Sequence, residues 1–428
     1  MSPSSSEKAP ASRGTDSVYW ANLGLVAIVA LYTVYTAWTL HSRGLFEYVG
    51  IDFRAIYASG EIARTTGFDQ VYSLAAQDRF QRPLYDAYSG GPYRLGFDPV
   101  PMPYLSVFVA LFQPLVALSP VPAFLFWSAL NATALVAYLF RFVHFVGGKH
   151  PRADVAMILF SLPAFFTLFF GQVNVWLLIC VGEFMIAGLR GRPFRSGLWI
   201  GGLVLKPQTL IVLAPALLLA RHFRTFVGMC LSTLVALAIS AYLAGVGGIV
   251  DLLRLVSLYP GGLPTNSPES MMNWRALAMN LSAVAPDQVA WTLAMAGLLL
   301  TLVVVARLWW PPMAASDPRF VILLLGSYAA TCAVTWHAHV HMALPLAIPL
   351  LYLVGRGWLP RSALNIWVLL PPAVFLMVGF TLNLGLGHRI VGIATLGLNL
   401  YFVGVAWSAL RNPLAETAPS PSQGLSSS

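Results

Sequence analysis

Charge is scarce in this chain. Asp, Glu, Lys and Arg together supply 10% of its 428 residues, where a soluble domain carries roughly a quarter. A soluble fold needs a solvated surface, and there is too little charge here to make one. That excludes a cytosolic enzyme, a nucleic-acid-binding module and a secreted domain held by disulfides. Cysteine is equally sparse. Cys180, Cys230 and Cys332 each sit within an apolar run and form no C-x-x-C pair, so no zinc site or dithiol is expected and all three read as small packing residues. The Walker A loop, the G-x-G-x-x-G turn and the H-E-x-x-H zinc motif are missing. So is any Asp-x-Asp pair of the kind that holds a metal on a nucleotide diphosphate. A nucleotide sugar handled by a soluble domain is therefore not an expected substrate.

What the chain has in abundance is apolar length. Hydrophobic residues make up 58% of it, and the mean hydropathy is +0.73. A spanning helix needs roughly 20 mostly apolar residues. Runs of this kind fall at 19–40, 121–143, 154–170, 174–189, 225–245, 288–308, 320–338, 341–355, 363–383 and 390–410. A further run, 197–220, is broken by Lys206-Pro207, and a shorter one, 102–119, is bracketed by prolines. The expected fold class is an all-α polytopic membrane protein with about 12 helices, within a range of roughly 10–13. The first apolar run is long enough to be a spanning helix instead of a cleaved signal. Residues 18–411 read as one membrane domain, and the Ser/Pro/Ala-rich ends, 1–17 and 412–428, read as disordered cytoplasmic tails.

The net charge of +9 is a matter of topology, not of nucleic-acid affinity. If 102–119 dips into the membrane without crossing, and 197–205 and 208–220 form a broken up-and-down pair, most of the 25 Lys and Arg fall in short cytoplasmic loops. That is the bias the positive-inside rule weighs. If 102–119 crossed, Arg190, Arg192 and Arg195 would move outside. In the preferred arrangement both termini are cytoplasmic. Asp52, Gln172, Asn174, Lys206, Asn273 and the histidines at 337–341 then gather on the outer side.

Within the long first outer loop, 41–120, residues 41–101 are the most polar part of the chain. The loop contains two amphipathic stretches, 54–66 and 73–88, which read as helices lying flat on the outer leaflet, and tyrosines at 57, 72, 85, 88, 93 and 104 that suit a lipid–water interface. Asp52 reads either as an N-cap of the first stretch or as a carboxylate with chemistry to do. Lys206, in mid-run before Pro207, reads either as a snorkelling side chain or as one facing a cavity. Gln172 and Asn174 are either an ordinary polar helix start or part of a site, and Glu183 reads as a hydrogen-bonded helix contact. His337, His339 and His341 would share a face on an extended stretch but not on a helix. A metal site, a phosphate-binding role and interfacial decoration all remain open for them. Gly197 and Gly201 fit a close helix contact.

These residues resemble, in order, the motifs of glycosyltransferase family 87, the polyprenyl-phosphate-mannose-dependent α-mannosyltransferases of the C-type membrane glycosyltransferase superfamily. Asp52-Phe53-Arg54 with Tyr57 is similar to its D-F-x-x-[FY] segment. Pro99, Pro101 and Pro103 resemble its aromatic-Pro-Pro run, Pro114-Leu115 its P-L segment, and Trp127 and Asn131 the Trp and Asn beyond it. Gly171-Gln172-Val173-Asn174 matches G-Q-x-N, and Gly197 to Pro207 matches its small-residue run closing in K-P. Thr335-Trp336 with the histidines resembles its S-W-x-H segment. Pro103-Tyr104 departs from the usual Pro-Pro pair, and the last segment is richer in histidine than the common pattern.

The resemblance implies an inverting transfer on the extracytoplasmic face of the cell membrane. A hexose, mannose in the family, would pass from a polyprenyl-phosphate donor to a hydroxyl of a cell-envelope glycolipid or glycan. Asp52 would be the general base. Lys206, His337, His339 and Arg275 would hold the donor phosphate, and Arg54, Tyr57, Gln172, Asn174, Asn273 and His341 would bind substrate. No metal and no cofactor are implied, and membrane lipids are the other expected partners. Two other readings compete. Broken helices and an intramembrane lysine would also suit a transporter or a lipid-linked-sugar flippase, although no second Lys-Pro-broken segment occurs in the other half of the chain. An inactive assembly partner is the third.

Overall fold

The structure, a computed structural model, describes residues 13–89, 99–258, 267–310 and 312–411. The expected tail 412–428, residues 1–12 of the N-terminal tail and Tyr93 lie outside these. Residues 13–17 belong to the first helix. The described residues form no strand, only two isolated bridges.

Seventeen α-helices run in chain order among the described residues: α1 Arg13–Arg43, α2 Ile51–Thr65, α3 Leu74–Tyr88, α4 Ser106–Phe112, α5 Pro120–Val146, α6 Pro151–Leu159, α7 Leu162–Phe170, α8 Asn174–Leu189, α9 Pro193–Gly201, α10 Leu213–Leu219, α11 Phe223–Ser257, α12 Trp274–Leu281, α13 Asp287–Leu308, α14 Phe320–Val334, α15 Ala347–Gly355, α16 Arg361–Thr381 and α17 Leu384–Arg411. Six of them are long and apolar enough to cross a membrane: α1 from Leu23 on, α5, α11, α13, α16 and α17. A seventh span forms if α6 and α7, bent by 54° at their junction, are taken together. The other expected runs are present as shorter apolar helices, 174–189, 207–219, 320–334 and 340–355. The run 102–119 becomes α4 and a 3₁₀ turn, Gln113–Ala117. At 1.5 Å per residue its helical part spans about 18 Å, well short of the roughly 30 Å of a bilayer core.

The breaks have local causes. Proline lacks the N–H that would bond back one turn, so Pro163 starts α7 afresh behind the Ser161 cap, whose hydroxyl accepts from Ala164 N–H. Pro207 disfavours helical geometry in the residue before it. Lys206 accordingly has φ −133° and ψ 83°, between two 3₁₀ turns, Gly202–Leu205 and Pro207–Leu210. The carbonyl freed at Lys206 is taken by Thr209, which donates both its N–H (2.9 Å) and its hydroxyl (2.7 Å).

Close helix packing depends on small residues, because lipid is as apolar as the partner helix and shape carries the contact. α9 lies against α11 where Gly197 and Gly201 meet Gly228 and Ser232. A Cβ at Gly197 would collide with the Thr225 carbonyl oxygen. α2 differs from the expectation of a helix lying on the outer leaflet. It is buried along Phe53–Gly60, enclosed by α3, α4 and the 113–117 turn. α3 keeps a solvated face, as its amphipathic sequence requires.

Charged side chains are tied down at the end of the bundle where α5, α8 and α13 finish. Glu183 is buried and accepts from Tyr138 (3.1 Å) and Arg141. Asp154 pairs with Arg361 at 2.8 Å, and Arg190 stacks on Phe145. The ends of α1, α7 and α14 and the start of α17 converge at the opposite end.

Candidate functional site

At that opposite end lies a cavity of about 880 Å³. Its polar groups come from the ends and breaks of helices. The end of α1 leads through a turn to α2, whose first turn carries Asp52. Asp52 is the second residue of the helix, and the residue before the helix is Gly50, so its side chain makes no N-cap. It faces the cavity with the positive end of the helix dipole beside it.

The α7–α8 turn supplies Gln172. Gly171 makes this turn possible: its φ is +75°, and a Cβ there would stand 2.5 Å from the Cβ of Phe53 on α2. Only a glycine brings the turn this close. Trp127 fixes it from the other side by donating to the Gly171 carbonyl at 2.9 Å. The broken segment after α9 supplies Lys206.

Gln172 joins the three groups. Its side-chain oxygen accepts from Lys206 Nζ at 2.6 Å and from the Tyr104 hydroxyl at 3.2 Å. Its amide also lies close enough to the Asp52 carboxyl to favour the ionised form. Burial pushes the Asp52 carboxyl above the usual carboxylate range, while the Gln172 bond and the charges of Lys206 and Arg54 pull the other way without cancelling the effect. A carboxylate and an ammonium thus line one wall with a neutral amide that accepts from the ammonium, and the two charges form no ion pair with each other.

The segment after α14 supplies His337, His339 and His341, all lining the cavity. Thr335 is extended (ψ 133°), which ends the helix; His337 and His339 project from a non-helical stretch and His341 from the start of a 3₁₀ turn, Val340–Leu346. Neighbouring ring centroids are 5.1 Å and 5.8 Å apart. Among the described residues no cluster of three or more His, Cys, Asp or Glu could hold a metal ion.

The remaining expected site residues stand behind this wall and do not line the cavity. Asn273 caps α12 through Ala276 N–H (2.9 Å) and donates to the Thr335 carbonyl (2.8 Å), so it braces the histidine segment. Arg275 lies over Trp336, 4.7 Å from the ring centre, and it is Trp336 that reaches the cavity. Asn174 donates to Thr167 across the α7–α8 turn at 3.2 Å. Arg54 donates to the Phe46 carbonyl at 3.0 Å, and Tyr57 to that of Leu118 at 3.0 Å; both fix α2 in place.

Sequence reasoning missed one cluster. His388, in the first turn of α17, lines the cavity with Tyr48 and Arg389. The Tyr48 hydroxyl and His388 Nε2 are 2.6 Å apart, and Arg389 pairs with Glu269 at 3.5 Å. The signal was a His-Arg pair just before an apolar run, on the same side as Asp52.

One side of the cavity is apolar. Ile211 and Val256 line it, and they are 54% and 47% exposed. The chamber therefore has a polar wall and an apolar one.

The glycosyltransferase family 87 model matches residues 104–335, more than half of the chain, and the chain belongs to that family. It is a membrane glycosyltransferase. No curated protein and no solved structure matches it.

Proposed function

We propose that the protein transfers a hexose, mannose, from a polyprenyl-phosphate donor to a hydroxyl of a cell-envelope glycolipid or glycan, with inversion at the anomeric carbon. The observation that carries this reading is a carboxylate, Asp52, and an ammonium, Lys206, lining one cavity with Gln172, which accepts from the ammonium, while Ile211 and Val256 make an apolar side. The isoprenoid tail lies along the Ile211–Val256 side and the sugar phosphate enters the polar chamber. The Asp52 carboxylate takes the acceptor proton. The acceptor oxygen bonds to the anomeric carbon as the carbon–oxygen bond to phosphate breaks. The lipid phosphate leaves with added negative charge, which Lys206, His337 and His339 meet. Charge supplied in place at the transition state is worth most in a dry site, and with these donors the reaction runs without a metal.

The arrangement of about twelve membrane passes with both termini cytoplasmic, and a site facing the outside of the plasma membrane, belongs to the same proposal. The arginines at the end of the bundle opposite the cavity support it.

The test is transfer from radiolabelled polyprenyl-phosphate mannose by purified protein in excess chelator, wild type beside Asp52→Asn, with a cell-envelope lipid extract as acceptor. A positioned general base contributes about 10²–10⁴ in rate, so the variant should lose that much while remaining folded and binding donor. Turnover by Asp52→Asn within a few-fold of wild type would remove Asp52 as the base. Solute accumulation in proteoliposomes without a new covalent product would favour transport instead.

A further inference from the structure

A second cavity, of about 550 Å³, lies at the end of the bundle opposite the first. It is formed where α13 and α17 finish and by the connection leading into α14. Its cationic groups are Arg307, Arg319 and Arg411, and its one acidic group is Asp317. Arg319 and Asp317 neutralise each other through a two-pronged pair, the shortest contact being 2.6 Å. Arg307 and Arg411 are thus left in excess. Arg411 is stacked on Trp407, 3.8 Å from the ring centre, which fixes a planar donor fork over an apolar ring. The rest of the lining is apolar: Leu308, Trp310, Pro312, Met313, Ala314 and Leu410.

Two cations in an apolar, indole-lined pocket need an anion that is itself amphipathic. Trp310 is 57% exposed, and above it on α13 Val303, Leu300 and Leu299 are also exposed, so one wall of the pocket continues into the lipid-facing side of a spanning helix. Arginine pockets between spanning helices on the basic side of a membrane protein suit anionic headgroups, and tryptophan sits naturally at headgroup depth. We infer that this pocket binds the phosphate headgroup of an anionic phospholipid in the leaflet opposite the catalytic cavity. Arg307 and Arg411 take the phosphate oxygens, and the acyl chains run along α13. Arginines placed there only to orient the helices would need neither the pocket nor the stacked indole.

The experiment is native mass spectrometry of the full-length protein released from nanodiscs holding phosphatidylglycerol and phosphatidylcholine in equal amounts. The wild type is set beside Arg307→Gln/Arg411→Gln and, because loss of charge could disturb membrane insertion, beside Trp407→Leu, which keeps every charge. Wild type should retain phosphatidylglycerol in preference to phosphatidylcholine. The preference should fall roughly fivefold for each arginine removed and should weaken in Trp407→Leu as well. Millimolar inorganic phosphate should not displace the lipid. No preference in wild type would overturn the inference, as would an undiminished preference in the double variant. Displacement by phosphate would replace the lipid headgroup with a free anion and overturn it too. Mannosyl transfer is not the readout, so the outcome stands apart from the function proposed above.

Discussion

Gln172→Met tests the geometry of the catalytic wall more sharply than removal of either charge. Methionine keeps the length and apolar volume of glutamine but neither donates nor accepts strongly. The substitution breaks the 2.6 Å bond to Lys206 and removes the amide that favours the ionised Asp52 carboxylate. A hydrogen bond to a charged partner contributes about 1.5–3 kcal/mol. The share at Lys206 can be recovered from the donor phosphate, so the share at Asp52 sets the loss in kcat. That corresponds to a fall of roughly 10- to 150-fold. The pH profile carries a second sign. Asp52 works as a base when ionised, so activity falls as pH drops through its raised pKa. The Gln172 bond lowers that pKa, hence its loss moves the acidic limb to higher pH. Initial rates of mannosyl transfer across pH 4.5–8, a range of about three units around neutrality and below, measure both effects. A rate within twofold of wild type, or an acidic limb that moves to lower pH, would refute the bridging role.

Lys206→Ala should raise the KM for the lipid donor at least tenfold with a much smaller change for the acceptor, since a phosphate contact by a buried cation is lost; equal changes for both substrates would return Lys206 to a snorkelling role. Gly171→Ala forces a Cβ against Phe53 and strains a positive φ, so transfer should fall at least as far as in Gln172→Met, with the protein still extractable as a folded monodisperse species; wild-type activity would show that the turn can shift freely. Gly197→Val drives a side chain into the Thr225 carbonyl on α11. It should lower thermal stability in detergent by about 1–3 kcal/mol or more, and an unchanged melting temperature would mean that α9 and α11 can separate without cost.

Much of this architecture was legible in the residues. The amphipathic stretches at 54–66 and 73–88 correspond to α2 and α3 within a few residues, because period and cap chemistry are local properties. The break at Lys206-Pro207 was legible for the same reason. The burial of α2 was not. In a membrane protein an apolar face says nothing about whether it meets lipid or protein, since both are apolar. The site divides along a similar line. Asp52, Gln172, Lys206 and the three histidines stood out as polar groups among apolar neighbours, and the structure brings them to one cavity. Asn174, Asn273 and Arg54 gave the same signal, yet their side chains are spent on Thr167, on backbone around Thr335 and on the Phe46 carbonyl. Local sequence does not reveal which partner a polar side chain will find. His388 escaped notice because polarity at the edge of an apolar run is ordinary.

The cavity draws its lining from Tyr48 near one end of the chain to Arg389 near the other. The segment matched to the family, 104–335, holds Gln172 and Lys206 but neither Asp52 nor any of the histidines that line the cavity. During synthesis the chain emerges from its N-terminus, so Asp52 is made early and must wait through nearly the whole of translation for His388 to arrive on α17. A ribosome-bound intermediate that has inserted everything up to α16 carries the carboxylate, the glutamine, the lysine and the three histidines around a chamber that still lacks its α17 lining. The cavity as a whole therefore exists only once the last helical hairpin has closed.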